Sequence, residues 1–575
     1  MRGDALRILL PTAAALGSLF VVAFQLQMVP FFAPLFVEDR LFWPAVFYGI
    51  WALVMGVTLV LLVLQNSVRR QSLPVLAVCA SAMLLTLIHP MDGVAKNFLV
   101  AVAFVACVSV LAIASAPFAL LRFSATGTVL SAVICLLDIL FSHGFTNTVG
   151  RAAGLSINAN VAAAGLLLGA ASSFWTVSHR WRSPFLLVVG TAIFATLSRS
   201  TLLAAILICS GVAADWLWNR IRSPGPHSRI QWLGSGAMAL ALTGWIAVAL
   251  FSNDRFSVAA RSSFLQIGST PAALAEAHEA IASSIRAQTP SPIEAVPRRE
   301  PDALSKPTPP STTTPPSKTA PRSEARRQSK PASQSPGPAP QSSRPSPNAM
   351  SGQTPPPSGD DNERRLKTEE IIKEITRRAE NEGDINSISA RGLLMERAWL
   401  SYWNGPFFGQ GLAAAHALQP HNTFLLFAIA FGDLGWIVPL AFLGLTVYSV
   451  RSVQQLPLCL ATLTVMMTSH DLPFTFGLLA PFILGIAGLN AQRYRIHDEP
   501  DAVPAIRYAA AAAPIVFAIG AISTLSFGPS SISGTPKLLF FLVFCAIALW
   551  SAGVWHWHKE LFLREHALAR GRGWD

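Results

Sequence analysis

The sequence predicts an all-α, polytopic integral membrane protein of about 12–14 transmembrane helices, with one long outward-facing loop between the ninth and tenth spans. Three observations carry this. The 575 residues have a mean hydropathy of +0.46, with 52% hydrophobic and only 13% charged. Apolar runs of about 17–25 residues recur, the length a helix needs to cross a hydrocarbon core of roughly 30 Å. Lys and Arg fall in alternate short loops, the asymmetry expected when basic residues resist translocation.

In chain order, Arg2 and Arg7 precede an apolar stretch reaching Gln27. It is too long for a signal h-region and has no small-residue cleavage site at its end, so it is expected to be a first span. Further spans are expected near 42–65, 72–88, 97–121, 126–142, 160–178, 182–197, 201–218, 232–251, 422–449, 456–469, 475–490, 508–527 and 537–557. Four regions follow: a membrane region over 1–251 with about nine spans, the loop over 252–421, a second part of the membrane core over 422–491, and two additional spans with an inward tail over 492–575.

With the N-terminus inside, Arg69, Arg70, Arg122, Arg180, Arg182, Arg220, Arg222, Arg229, Arg451, Arg493, Arg495, Lys559 and Arg564 all fall on the inner side. The net charge of +12 therefore reflects topology, and no nucleic-acid partner is expected. The six cysteines lie within apolar runs without CxxC spacing, which implies neither a disulfide framework nor a zinc site.

The long loop has an alanine-rich start, "AALAEAHEAIASSIRA", then a Pro/Ser/Thr-rich tract over about 289–360 whose composition cannot repay the entropy of ordering. Helical spacing returns over about 362–404, first with i,i+4 pairs such as Glu369 with Lys373, then with an aromatic-rich helix near Ile388–Trp403. The tract reads as a tether. Deleting 295–355 is expected to leave a stable, active protein; loss of activity in a stable deletion variant would show that the tether itself acts.

Outward positive charges oppose the topogenic trend, so each needs a reason. The apolar stretch 182–218 is roughly twice what one span requires, so it is expected to be a hairpin tipped by Ser198-Arg199-Ser200. Arg199 there either snorkels to lipid headgroups or serves a site. In "NTVGRAAGLSINANVAAAG", Arg151 precedes a helix start carrying Asn158 and Asn160, which are capping or hydrogen-bonding groups. In "SARGLLMERAWLSYWNGPFFGQGLAAAHALQPHNTFLLF", Arg391 and Arg397 share an external helix stopped by Pro406, Gly409 and Gly411 allow a tight turn, and His421-Asn422 opens the next apolar run. His470-Asp471 after the eleventh span either orients a substrate hydroxyl or is a plain polar loop pair, and Asp138 is a weaker candidate of the same kind. Asp360-Asp361 reads as a solvated charge pair, and neither a metal nor a cofactor is expected. Guanidinium forks suit phosphate oxygens, and an imidazole can take a proton near neutral pH. Together they point to transfer from a lipid-linked diphosphate.

These segments resemble the O-antigen ligase and polymerase family of bacterial envelope enzymes. The likeness rests on "GRAAGLSINAN", on "LSRS" at a hairpin tip, on Arg391 in "RGLLMERAWLSYWNGPFFGQG", and on "HNTFLLFAIAFGDLGW", in this order over about 150–490. Two features depart from the family: Asn158-Ala159-Asn160 stands where an Asn-Pro-Asn is usual, and the Pro-rich insertion and last two spans are extra. The resemblance implies a metal-independent, inverting glycosyltransferase of the inner membrane with its site on the periplasmic face. The donor would be a glycan on undecaprenyl diphosphate, and the acceptor a hydroxyl of lipid A-core, a growing glycan or a protein. It further implies that Arg199 and His421 are catalytic, Arg199 holding the diphosphate with Arg151 and Arg391 adding to the positive pocket, and His421 deprotonating or orienting the acceptor hydroxyl; Asn160, Asn422, His470 and Asp471 stand beside them as candidate substrate-binding residues. A transporter and a structural tether are the rival expectations.

Overall fold

The structure, a computed structural model, describes residues 2–29, 42–140, 150–156, 158–222, 228–254, 256–260, 385–509 and 512. Among these residues there are helices and turns and no strand. By contacts the chain divides into Met1–His278 with Ile375–Asp575, which holds every described residue, and Glu279–Glu374, which lies outside them. The expected Pro-rich tether, the helix near 362–380 and nearly all of the expected spans 508–527 and 537–557 also lie outside the described residues.

The first half of the bundle runs α1 (Arg2–Phe20, continued as a π-helical turn Val21–Gln25), α2 (Phe42–Leu64), α3 (Asn66–Thr86), α4 (Gly93–Ala114), α5 (Pro117–Leu140), α6 (Ala159–Ser173), α7 (His179–Ala195), α8 (Arg199–Arg222) and α9 (Ser228–Ser252). The second half runs α10 (Ile385–Trp403), α11 (Leu412–Ala417), α12 (Thr423–Phe431), α13 (Ile437–Ser449), α14 (Leu456–Thr468) and α15 (Phe476–Tyr494). Among the described residues six stretches are long and apolar enough to cross a membrane: Ala5–Gln25, Asn66–Thr86, Gly93–Ala114, Pro117–Leu140, Ala159–Thr176 and Thr423–Ser449. Shorter apolar helices, such as Trp181–Ala195 and Val453–Thr468, fill the remaining positions. Leu59, Val63, Leu84, Leu207 and Val447 are more than half exposed, an apolar exterior suited to lipid.

Two elements differ from the sequence expectation. The helix expected from residue 72 begins at Asn66, because Arg69 and Arg70 are good helix formers and extend it backwards after a break at Gln65. The span expected as one helix over 422–449 is two, separated by a 3-10 turn at Gly432–Trp436.

Helix direction sorts the candidate site residues onto one end. Gly165 lies against Leu478, Gly485 against Ser172, and Gly488 beside Trp175, so α6 and α15 run parallel and in step. Leu458, at the start of α14, also lies against Gly485, so α14 runs the other way. The starts of α6 and α15 and the end of α14 therefore share one end of the bundle. The opposite end gathers the basic loops. Arg182 donates to the carbonyls of Trp175 and Val177 and to Gln454, Arg493 donates to the Tyr448 carbonyl, and Asp498 accepts from the Phe118 N–H.

Between the ends the core is aromatic. Phe104 meets Phe20, Phe24 and Phe476 with centroids 4.9–5.3 Å apart, and Phe98 packs on Phe427 at 5.3 Å. Edge-on and tilted rings of this kind lock α1, α4, α12 and α15 together.

Candidate active site

The first cluster forms where α5, α6, α7 and α8 meet. Asp138 is buried, and its Oδ2 accepts from the backbone N–H groups of Ala153 and Gly154, both at 2.9 Å. This carboxylate shapes the turn that carries Arg151. Arg151 in turn donates from Nε to the Thr196 carbonyl and from a terminal nitrogen to Asn160 Oδ1, both at 2.8 Å, while the Ala152 N–H reaches the Ala195 carbonyl at 2.9 Å. Asn158 caps α6 by accepting from the Val161 N–H at 2.8 Å. The two asparagines thus divide the work: Asn158 caps, and Asn160 holds the guanidinium plane.

The hairpin reverses in three residues, Thr196-Leu197-Ser198, with Leu197 at φ 51°, a left-handed conformation that a branched side chain rarely adopts. Arg199 is the first residue of α8 and half-buried, rather than the middle of the expected tip. Arg151 is thus tied to the carbonyl three residues before Arg199. The N-termini of α6 and α8 both open here, and their unpaired N–H groups and dipoles favour an anion.

The second cluster forms where α11, α12 and α14 meet. Gln419 and His421 flank buried Pro420 with φ of 44° and 49°, a turn strained at both sides of the proline. Asn422 caps α12, its Oδ1 accepting from the Leu425 N–H at 3.1 Å, and Thr423 donates to the Ser469 carbonyl at 2.6 Å. That bond ties the His421 turn to the His470 loop. The ring centroids of His421 and His470 are 5.1 Å apart, and His416 lies 5.5 Å from His470 on another side. His470 is buried, its Nε2 is 3.5 Å from Asp471 Oδ1, and its Nδ1 has no hydrogen-bond partner. Among the described residues no group of three or more His, Cys, Asp or Glu side chains is arranged to hold a metal ion.

Burial pulls the His470 imidazole below its ordinary value of 6.5; Asp471 opposes the shift, and His421 and His416 add to it. The sign of the stability effect follows. The folded ring stays neutral while the unfolded ring takes a proton, so stability is lost as pH falls below about 6.5. The thermal midpoint is expected to drop between pH 6.5 and 5, and His470→Phe should flatten that drop. An unchanged pH slope in the variant would refute this origin.

A rim of backbone contacts positions the second cluster. The N–H groups of Gln410 and Gly411 donate to the carbonyls of Ile429 and Ala430, both at 2.9 Å, and so cap the C-terminus of α12. Tyr402, at the end of α10, donates to Asp433 at 2.8 Å and accepts from the Trp436 indole N–H at 3.3 Å. Arg391 is on α10 two turns or more before this contact, and the placement of its side chain lies outside the described residues.

Each cluster is internally connected, and both lie at the same end of the bundle: Arg151, Asn160 and Arg199 in one, His421, Asn422, His470 and Asp471 in the other. Sequence reasoning missed two features. His416 joins the histidines, and a small cleft lies beside the Ala153–Ser156 turn, lined in part by Gln25, Gln27, Ser131 and Ser156. Polar residues ending the first apolar run were the available signal. Comparison of the chain with models of known protein families and with curated proteins finds no match.

Proposed function

We propose that this protein is a glycosyltransferase that moves a glycan from undecaprenyl diphosphate to an acceptor hydroxyl at the periplasmic face of the bacterial inner membrane. The observation that carries the reading is the shared end. A guanidinium turn between two helix N-termini, suited to a diphosphate, opens at the same end as a strained, half-buried histidine backed by a second imidazole and a carboxylate.

In this reading Arg199 and Arg151 hold the diphosphate, Asn160 keeps the Arg151 plane fixed, and Arg391 adds positive charge from α10. His421 takes the proton of the acceptor hydroxyl as its oxygen bonds the anomeric carbon from the face opposite the leaving group. The bond from that carbon to the diphosphate oxygen breaks, its electron pair leaves with undecaprenyl diphosphate, and the configuration inverts. Asn422 holds the start of α12, while His470 and Asp471 line the acceptor side. The diphosphate carries the activation, so no nucleotide or metal is invoked. The favoured acceptor is lipid A-core, as in O-antigen ligases; a growing glycan would make the protein a polymerase.

Arg199→Ala is expected to abolish surface glycan attachment while the protein still inserts in the membrane, as seen on lipopolysaccharide gels with a membrane-fraction blot. A wild-type glycan profile would sink the role. In cells lacking the protein, lipopolysaccharide without any O-antigen marks a ligase, and lipopolysaccharide with one repeat unit marks a polymerase.

One observation favours a second reading, a transporter. Gln25, on the π-helical turn, donates to the Ser124 carbonyl and Thr128 and accepts from the Ser124 hydroxyl, a buried polar network inside the apolar bundle beside the cleft. Interrupted helices with buried polar groups mark transport pathways. Gln25→Leu that stops substrate movement across vesicles while sparing glycan transfer would favour it.

A further inference from the structure

If His421 is the base, something must fix which of its ring nitrogens carries the hydrogen. A neutral imidazole has one donor and one acceptor nitrogen, and only the bare one can take a proton from a hydroxyl. Catalytic histidines elsewhere are set by a third group behind them, and losing the correct tautomer costs about 10⁴-fold in turnover where it has been tested.

We propose that His470 is the orienting partner of His421: held by Asp471 through Nε2–H, it accepts the His421 N–H on Nδ1 and leaves the other His421 nitrogen as the base. This rests on the glycosyl-transfer reading and assigns His470 a role through His421 in place of direct contact with substrate.

Three observations support it. Asp471 Oδ1 lies 3.5 Å from His470 Nε2, and a carboxylate at that nitrogen favours Nε2–H, which leaves Nδ1 a bare acceptor. That acceptor is buried and has no partner, although buried polar atoms are nearly always satisfied. The spacing also fits. A linear N–H···N bond of about 2.9 Å between two imidazoles places their centroids about 5.2 Å apart, and these rings are 5.1 Å apart. The planes meet at 66°, and rotation of the His421 ring about its Cβ–Cγ bond is the change that would aim its N–H at His470 Nδ1. Catalytic hydrogen bonds commonly tighten in this way only when substrate is bound.

The surroundings keep His470 an acceptor. Burial disfavours charge on its ring, and the adjacent His421 and His416 imidazoles oppose it further, while Asp471 alone favours it. His416 stands 5.5 Å from both His470 and Phe474, which makes it a wall of this pocket.

The test uses full-length protein in nanodiscs with a lipid-linked oligosaccharide donor and a lipid A-core acceptor. His470→Phe fills the space but has no acceptor, and is expected to lower kcat by about 10²-fold or more, with donor KM within about twofold. His470→Asn keeps an oxygen near the position of Nδ1 and is expected to stay within about tenfold of wild type. Nitrogen-15 spectra of histidine-labelled protein should show a single neutral tautomer for His421 in wild type and His470→Asn, and a tautomer mixture in His470→Phe. Full activity in His470→Phe, equal loss in folded His470→Asn and His470→Phe, or a mixed His421 tautomer in wild type would each overturn the proposal. If wild-type protein transfers nothing, the glycosyl-transfer reading fails by itself, and the spectra still decide the His421–His470 pairing.

Discussion

His421→Ala is expected to reduce glycan transfer by about 10²–10⁴-fold, the usual contribution of a positioned general base, while donor binding and membrane insertion remain intact. The reason lies in what His421 does and does not hold up. The local fold is secured by its neighbours: Asn422 caps α12, Thr423 bonds the Ser469 carbonyl, and Pro420 is buried. The His421 backbone sits at φ 49°, a conformation histidine adopts more readily than alanine, so truncation adds a small local strain that these neighbouring contacts hold. The diphosphate would be held in the other cluster, by Arg151 and Arg199, so donor affinity should survive. Binding of a fluorescent lipid-linked donor, measured beside transfer, separates the two effects. Loss of binding together with transfer would instead make His421 part of the donor site.

Gly432→Ala is expected to prevent the rim around the second cluster from forming and to reduce accumulated protein sharply. Gly432 has φ 62° and ψ −142°, a conformation open to glycine but costing another residue about 1–3 kcal/mol by itself. Steric overlap costs more. A Cβ at this position would collide with the Phe407 carbonyl, and the Asp433 N–H that donates to that same oxygen at 3.3 Å would be pushed away. Gly409 faces the same backbone from the other side, so neither segment of the contact can give. Loss of this packing frees the carbonyls capped by Gln410 and Gly411 and unsettles the helix that begins at Asn422. Gly444→Ala is the control: its added methyl meets nothing within 4 Å, and it should be neutral or stabilising by up to about 1 kcal/mol. Equal accumulation of both variants would contradict the interlocked rim.

Much of this arrangement was legible because local chemistry decides it. Asn158 and Asn422 stand before apolar runs and act as caps, and the double-length apolar stretch had to turn near Ser198. Pro406, Gly409 and Gly411 marked the tight turn that the backbone makes. The misplacements have physical reasons too. Arg199 moved from hairpin tip to helix start because Leu197 accepts the left-handed conformation normally left to glycine, which no pattern of residue types announces. The run over 423–449 is apolar almost throughout, and hydropathy cannot see that Gly432 lets the Phe407 backbone press against it or that Gly435 folds back onto the Phe427 carbonyl.

What was not legible is tertiary. The sequence singles out His421 and His470 separately, 49 positions apart, and they meet because Thr423 fastens one loop to the other. Gln25 and Gln27 read as the polar end of a span, whereas Gln25 turns inward on a π-helical turn to bond Ser124 and Thr128.

The most direct test of glycosyl transfer is a reconstituted reaction. Purified full-length protein in nanodiscs is given an undecaprenyl-diphosphate-linked glycan and lipid A-core, and glycosylated product, released undecaprenyl diphosphate and anomeric configuration are measured. The predicted result is equal amounts of product and released carrier, an inverted linkage, and loss of both products in His421→Ala. Transfer by His421→Ala at the wild-type rate, or retention of configuration, would contradict the assignment of His421 as the base of an inverting transfer.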